Sequence, residues 1–231
     1  MGKSISSQII EFEGIAGCGK STLCSNFAKI LKSKGISFVY SQEIAKYMHD
    51  HPLSYIRAFR IRNVASVIRL MFSTGTFKSY KYHIAIFKLL SLYDYYSRTS
   101  NENVLLCDHS IIQSTVQIWG YNRHTKVDES IRHALSKFFT HTYSTVNVYC
   151  TISPKTAGER IRKRNRTYGR LDLIKNDNEL VEYLKNNVDN LDATVKVYET
   201  LHKVHRLEMQ DNPSVIAEEL FNKVYTAMSV N

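Results

Sequence analysis

Proline is scarce in this chain: three residues in 231, with nine glycines. No stretch is rich enough in either to act as a linker, so nothing divides the sequence into separately folding parts. Length permits one sizeable core, and the expectation is a single domain over residues 1–231. Long apolar runs are missing too. None reaches the ~18 residues that a membrane span requires. The opening "MGKSISSQIIEFEG" lacks the apolar segment of a secretory leader, so the sequence reads as cytoplasmic. The four cysteines, Cys18, Cys24, Cys107 and Cys150, have no spacing that suits a zinc site or a disulfide framework and read as buried free thiols.

Charge is plentiful and one-sided. The chain has 31 Lys and Arg against 21 Asp and Glu, a formal net charge of +10. That excess favours anionic partners: nucleotides, nucleic acid or an acidic surface. Much of it is concentrated. Lys155, Arg160, Arg162, Lys163, Arg164, Arg166 and Arg170 share one short segment with the single acid Glu159. Such crowding marks a site more than a uniformly basic coat.

The order of elements alternates strand and helix. "SQIIEFE", "SFVYS", "NVLLCD", "TVNVYCT" and "KVHRLEM" read as strands, and the continuous apolar runs among them suit strands buried on both faces. Helical stretches between them argue an α/β fold, a parallel sheet covered on both sides. Two helical segments interrupt the rhythm. One spans about 43–99 with a break at Gly75, and the other is "NDNELVEYLKNNVDNLDATVKVYETLHK".

Between the first strand and the first helix lies Gly14-Ile-Ala-Gly-Cys-Gly-Lys20-Ser21, a full match to G-x-x-x-x-G-K-[ST]. Glycines let backbone N–H groups curl around phosphates, and the following helix points its positive end at them. Gly14, Ala16, Gly17, Cys18, Gly19, Lys20, Ser21 and Thr22 are therefore the expected nucleotide-binding residues. Lys20 is expected to reach the β- and γ-phosphates of ATP, and the Ser21 hydroxyl to ligate Mg²⁺. The loop serves kinases, GTPases and motors alike. Neither an N-K-x-D base reader nor a D-x-x-G switch is present, and "NVLLCDHS" lacks the paired acids of a motor, which leaves the small-molecule kinase class.

Asp108 ends the third strand, where a carboxylate can hold magnesium or orient an acceptor hydroxyl; capping the next helix is the plainer alternative. Glu13 ends the first strand and is the other candidate general base. His109 and Ser110 could touch substrate or serve locally. In "ERIRKRNRTYGRLD", a helical reading puts Arg160 and Arg164 on one face. These two with Arg170 are the candidates to close over the transferring phosphoryl group as an arginine-rich lid, about 158–172, with Gly169 as a bend.

"FEGIAGCGKSTL", "VLLCDHS", "PKTAGERIRKRNRTYGRLD" and "HRLEMQDNPSVIAEELFNKV" together resemble the successive landmarks of the thymidylate kinase and deoxynucleoside kinase group, over nearly the whole chain. The resemblance implies a three-layer fold with a five-stranded parallel sheet, a helical cap, ATP and Mg²⁺ as donor, a mobile lid and commonly a homodimer. It also matches Glu13 to a residue near the acceptor. Where thymidylate kinases carry arginines that grip the acceptor's phosphate, this chain has Gln42-Glu43-Ile44, Asp108-His109 and Asp94-Tyr95. Deoxynucleoside kinases carry Glu-Arg-Ser after the third strand, of which Asp108-His109-Ser110 keeps the serine. Arg57, Arg60, Arg62 or Arg69 could substitute as phosphate grips, and Tyr80, Tyr82, Phe87, Tyr93, Tyr95 and Tyr96 could stack on a base or pack internally. The expected activity is phosphoryl transfer to a nucleotide or nucleoside. The alternatives are a nucleotide-dependent switch and a nucleic-acid-directed kinase or binder.

Overall fold

The computed structural model describes residues 8–120, 127–142, 145–164, 171–210 and 212–229. Five strands carry the fold: β1 (Gln8–Glu13), β2 (Phe38–Tyr40), β3 (Val104–Cys107), β4 (Val146–Thr151) and β5 (Val204–Glu208). They form one all-parallel sheet in the order β2-β3-β1-β4-β5, as the alternation of strand and helix predicts. β1 is central, with Glu11 beside Cys107 of β3 and Glu13 beside Tyr149 of β4. Both faces of the central strands are buried, which is why "NVLLCD" and "TVNVYCT" read as continuous apolar runs.

The helices in chain order are α1 (Lys20–Ser33), α2 (Ser41–Asp50), α3 (Leu53–Ala58), α4 (Ile61–Thr74), α5 (Tyr80–Thr99), α6 (Ile111–Gly120), α7 (Glu129–Thr140), α8 (Pro154–Arg162), α9 (Asp177–Glu199) and α10 (Pro213–Ser229). α1 turns Leu23, Cys24, Phe27, Ala28 and Leu31 to the core, one stripe at helical spacing, and packs against α10. The segment between β2 and β3 is helical throughout: α2 to α5 with one 3₁₀ turn. α4 stops at Gly75, whose φ of 63° is a left-handed C-cap that a residue with a Cβ adopts only with strain. Proline is placed where it costs nothing: Pro154 and Pro213 open α8 and α10, at positions whose N–H has no helical partner. The four cysteines are free and buried, as expected of interior thiols.

A single buried carboxylate organises the centre. Glu11, fully enclosed, accepts from the Tyr93 hydroxyl of α5, from the Ile111 N–H (2.8 Å) that opens α6, and from Thr145 Oγ1 (2.6 Å) just before β4. Thr145 in turn accepts from Asn147 Nδ2 at 2.6 Å. Burial pushes the Glu11 carboxyl up, and these donors pull it back toward the charged form. The result joins the sheet to two helices and sets where α6 begins.

Candidate active site

At the carboxyl end of β1 the chain enters the phosphate loop. Gly14, Gly17 and Gly19 all have positive φ (147°, 85° and 102°). At Gly17 the need is spatial as well, since a Cβ there would stand 2.5 Å from the Ala157 carbonyl of α8. Gly19 is the N-cap of α1, so the helix presents its unpaired N–H groups and positive end to the loop. Lys20 Nζ donates to the Gly14 carbonyl (2.7 Å) and the Ile15 carbonyl (3.1 Å), which lays the ammonium along the loop. Hydrogen bonding with Cys150, and Lys20 close by, pull the Cys18 thiol down to about 6.

Glu13 ends β1 with its side chain fully buried. One oxygen accepts from Ser110 Oγ at 3.1 Å; the other has no hydrogen-bond partner. Burial raises its carboxyl well above the ordinary range, and the nearby Glu11 adds to the rise. Ser110 also accepts from the Gln113 N–H at 2.9 Å, so it caps α6 while it holds Glu13. The local role of Ser110 is thus the one the structure realises, and the capping function considered for Asp108 falls to it. Asp108, half-buried just after β3, accepts instead from Gln42 Nε2 in the first turn of α2. Its charge acts on Cys24, one turn into α1 from Ser21, and on His109. Burial and Lys20 both depress the His109 imidazole, which favours its neutral form.

The basic segment divides. Arg160 reaches the loop, its guanidinium donating to the carbonyls of Cys18 (3.3 Å) and Met209 (2.9 Å). The face expected to be shared by Arg160 and Arg164 does not form: α8 ends at Arg162, and Arg164 is exposed beyond it. Arg162 pairs with Asp177 at 2.8 Å at the start of α9. Arg166, Gly169 and Arg170 lie outside the described residues. Ala157, Gly158 and Ile161 are buried, and Gly158 faces Leu180, Val181 and Leu184 of α9. The start of the expected lid is therefore a packed helix.

Beside the loop opens a cavity of about 290 Å³. Gly14, Ile15 and Ala16 form its floor; Tyr82 of α5, Gln113 and Gln117 of α6, and Tyr183 and Asn187 of α9 supply its polar walls. Gln113 Oε1 is buried with no hydrogen-bond partner. Of the aromatic residues expected as a stacking set, Tyr82 alone lines this cavity. Tyr93 and Tyr96 serve the interior through Glu11 and the Glu102 carbonyl, Phe87 meets Phe59, Tyr95 meets Tyr47, and Tyr80 is exposed. The arginines considered as phosphate grips do not line the cavity either. Arg60 turns to the buried Asp94 (2.7 Å), which Asn63 also contacts at 2.5 Å, while Arg57, Arg62 and Arg69 are exposed.

Glu11 and the carboxamides Gln113, Gln117 and Asn187 are absent from the sequence-based candidates. A signal for Glu11 exists, because Glu11 and Glu13 are two apart on one strand and so share a face. The carboxamides come from two helices far apart in sequence, and no local pattern announces them.

The sheet order, the glycine loop and the helix end that follows it define a P-loop fold built to hold a phosphate chain. More narrowly, the chain belongs to the deoxynucleoside kinase family, whose profile matches residues 10–225. Among solved structures, deoxyadenosine kinase from M. mycoides with bound dCTP is similar in fold at 17% identity, covering 95% of this chain and all of that one, with a TM-score of 0.50. Shikimate kinase from Acinetobacter baumannii with shikimate covers 96% of both chains at 15% identity and a TM-score of 0.47. No curated protein matches the sequence significantly. Among the described residues no helix is long and apolar enough to cross a membrane.

Proposed function

We propose that this protein transfers the γ-phosphoryl group of ATP to a hydroxyl of an uncharged nucleoside. One observation carries the choice of acceptor. Among the described residues, the cavity that opens onto Gly14 is lined by carboxamides, tyrosines and apolar groups, with no ionic side chain. A nucleoside monophosphate would bring a dianion into that space with no cation of the described lining to meet it, at a large desolvation cost. A neutral base and sugar suit it, since carboxamides both donate and accept and tyrosines offer ring faces. This supports the deoxynucleoside kinase branch of the resemblance over the thymidylate branch.

In this reading the loop amides and Lys20 hold the donor's phosphates, and Arg160 braces the loop backbone from α8. Glu13, beside Gly14 and with one oxygen unpartnered, accepts the proton of the attacking hydroxyl. The acceptor oxygen bonds to the γ-phosphorus as the bond to the β,γ-bridging oxygen breaks, and ADP leaves. Arg164 and Arg170 remain candidates to approach the same charge.

Magnesium fits the donor set. Ser21 offers a hydroxyl in the first turn of α1, and Asp108 a carboxylate whose charge acts one turn further along that helix, both hard oxygen ligands. When bound, the ion supplies positive charge against the β- and γ-phosphates.

The test is acceptor-dependent ADP release from Mg·ATP, measured across nucleosides, nucleoside monophosphates, shikimate and a short oligonucleotide, with Lys20→Ala as control. Turnover on a nucleoside that Lys20→Ala abolishes is the expected result. Turnover confined to monophosphates, or to the oligonucleotide, would overturn the reading of the cavity.

A further inference from the structure

Two of the four cysteines stand together. Cys18 lies within the phosphate loop and Cys150 near the end of β4, and their thiols are hydrogen-bonded to one another. Both are free and buried. Gly14 makes the room for them. A Cβ on that residue would stand 2.8 Å from Cys18 Sγ and 3.3 Å from Cys150 Cβ. The two side chains thus converge on the space that a third would fill.

The pair is polarised. Lys20 Nζ lies 3.8 Å from Cys18 Sγ. The hydrogen bond with Cys150, and Lys20 close by, hold the Cys18 thiol at about 6, whereas the same contact and burial push Cys150 well up. A thiolate beside a protonated thiol is the arrangement that disulfide chemistry uses. The other two cysteines lack it: burial, above all, pushes Cys24 up to about 12 and Cys107 well above its usual value. Gly14 also floors the cavity of about 290 Å³ beside the loop, which brings a small neutral oxidant within one residue of the pair.

We propose that Cys18 and Cys150 are a redox pair that hydrogen peroxide closes into a disulfide, and that this bond switches off nucleotide binding at the phosphate loop. The Cys18 thiolate attacks one peroxide oxygen and the O–O bond breaks. The other oxygen leaves as hydroxide and takes up the proton that Cys18 released, giving water and a sulfenic acid at Cys18. The Cys150 sulfur then bonds to the Cys18 sulfur, and the displaced hydroxyl leaves with the Cys150 proton as a second water. Two thiols lose two electrons in all, and one peroxide becomes two waters.

What moves is set by what is held. β4 is paired on both sides, with β1 and with β5. Cys18 is held by its N–H on the Ile15 carbonyl (3.3 Å) and by Arg160 on its own carbonyl (3.3 Å). An S–S bond of about 2.05 Å is shorter than any hydrogen-bonded contact, so closing it draws the loop toward the strand. The loop's N–H groups then leave the positions that cradle a phosphate. The inference rests on the loop as a nucleotide site and not on which acceptor the protein uses.

The test takes the full chain, reduced and then exposed to hydrogen peroxide, with remaining thiols alkylated and the peptides mapped by mass spectrometry. A link between the Cys18 and Cys150 peptides is expected, with Cys24 and Cys107 alkylated. Calorimetric titration of the same sample should show Mg·ATP affinity reduced about tenfold or more, and dithiothreitol should restore it. Reduced Cys150→Ser should bind Mg·ATP as the parent does; after peroxide it should form no link and leave a sulfenic acid at Cys18 that dimedone traps. The proposal is overturned if both cysteines stay alkylatable, if Cys18 is oxidised without being linked, or if the link joins another pair or two chains. A Cys18–Cys150 link that leaves Mg·ATP affinity unchanged overturns the switch. Reduced parent that binds no Mg·ATP would instead refute the nucleotide site, and the peptide map would still decide whether the pair closes.

Discussion

Glu11 and Glu13 stand two residues apart on the same face of β1, both fully buried, and are wired in opposite ways. Glu11 is met by donors from α5, from the start of α6 and from Thr145 just before β4, whereas Glu13 has Ser110 and one unpartnered oxygen beside the phosphate loop. Two carboxylates on one strand have thus taken different roles. The enclosed one joins the sheet to two helices, and the one at the strand's end has an unpartnered oxygen, which the proposed function uses as the proton acceptor.

Glu13→Gln should lower turnover by a factor on the order of 10²–10⁴ while stabilising the protein. The sign follows from the direction of its shift. Burial and Glu11 raise the folded-state value, so folding favours the protonated form. Its contribution to stability is complete below the ordinary carboxylate range and declines as pH rises toward the raised value. The variant's melting temperature should gain on the parent's over that window. In the parent, kcat/KM should rise with pH through the same raised value. Melting curves and rate profiles against pH measure both, and a variant that melts lower at neutral pH would contradict the assignment.

Thr145→Val keeps the shape of the side chain and removes the donor to Glu11 Oε2. A buried carboxylate oxygen losing its partner costs about 1–3 kcal/mol, which for a chain of this size is a drop of roughly 2–10 °C in melting temperature. Turnover per folded molecule should be nearly unchanged. A large loss of turnover in well-folded protein would place Glu11 in the chemistry instead.

Gly17→Ala should disable the loop without unfolding the sheet. The new Cβ would stand 2.5 Å from the Ala157 carbonyl, at a φ of 85° that side chains rarely adopt. The loop must move off α8, with a strain of about 1–3 kcal/mol. Calorimetric titration with Mg·ATP should show affinity reduced about tenfold or more, while circular dichroism stays that of the parent.

Gln113→Leu fills similar space and removes the carboxamide whose oxygen lacks a partner in the cavity wall. If Gln113 reads a nucleoside, kcat/KM for the preferred acceptor should fall about 10- to 100-fold, with other nucleosides less affected. Binding of Mg·ATP should be unchanged. An equal loss across all acceptors would assign Gln113 to packing.

Much of the donor half was legible in the sequence. A phosphate loop is a local structure: its glycines, lysine and helix start are consecutive, so Gly14 to Ser21 appear where the residues alone put them. The parallel sheet was legible for a related reason, because strands buried on both faces produce unbroken apolar runs such as "VLLC". The fates of charges were less so. Arg60 looked like Arg57, Arg62 and Arg69, yet only Arg60 meets a buried carboxylate, and Asp94 lies 34 positions further along the chain. Helix length misled as well: Arg160 and Arg164 share a face only if α8 continues, and it ends at Arg162.

By itself, then, the sequence determined what neighbours along the chain decide: the phosphate loop, the order of strands and helices, and the free cysteines. Tertiary structure decided which groups meet. It paired Glu11 with Thr145, turned Asp108 to Gln42, and gathered Tyr82, Gln113, Gln117 and Asn187 around one cavity. The physical reason is that an acceptor site is a convergence of distant elements, each held by its own packing. Local sequence specifies the elements but not the point where they converge.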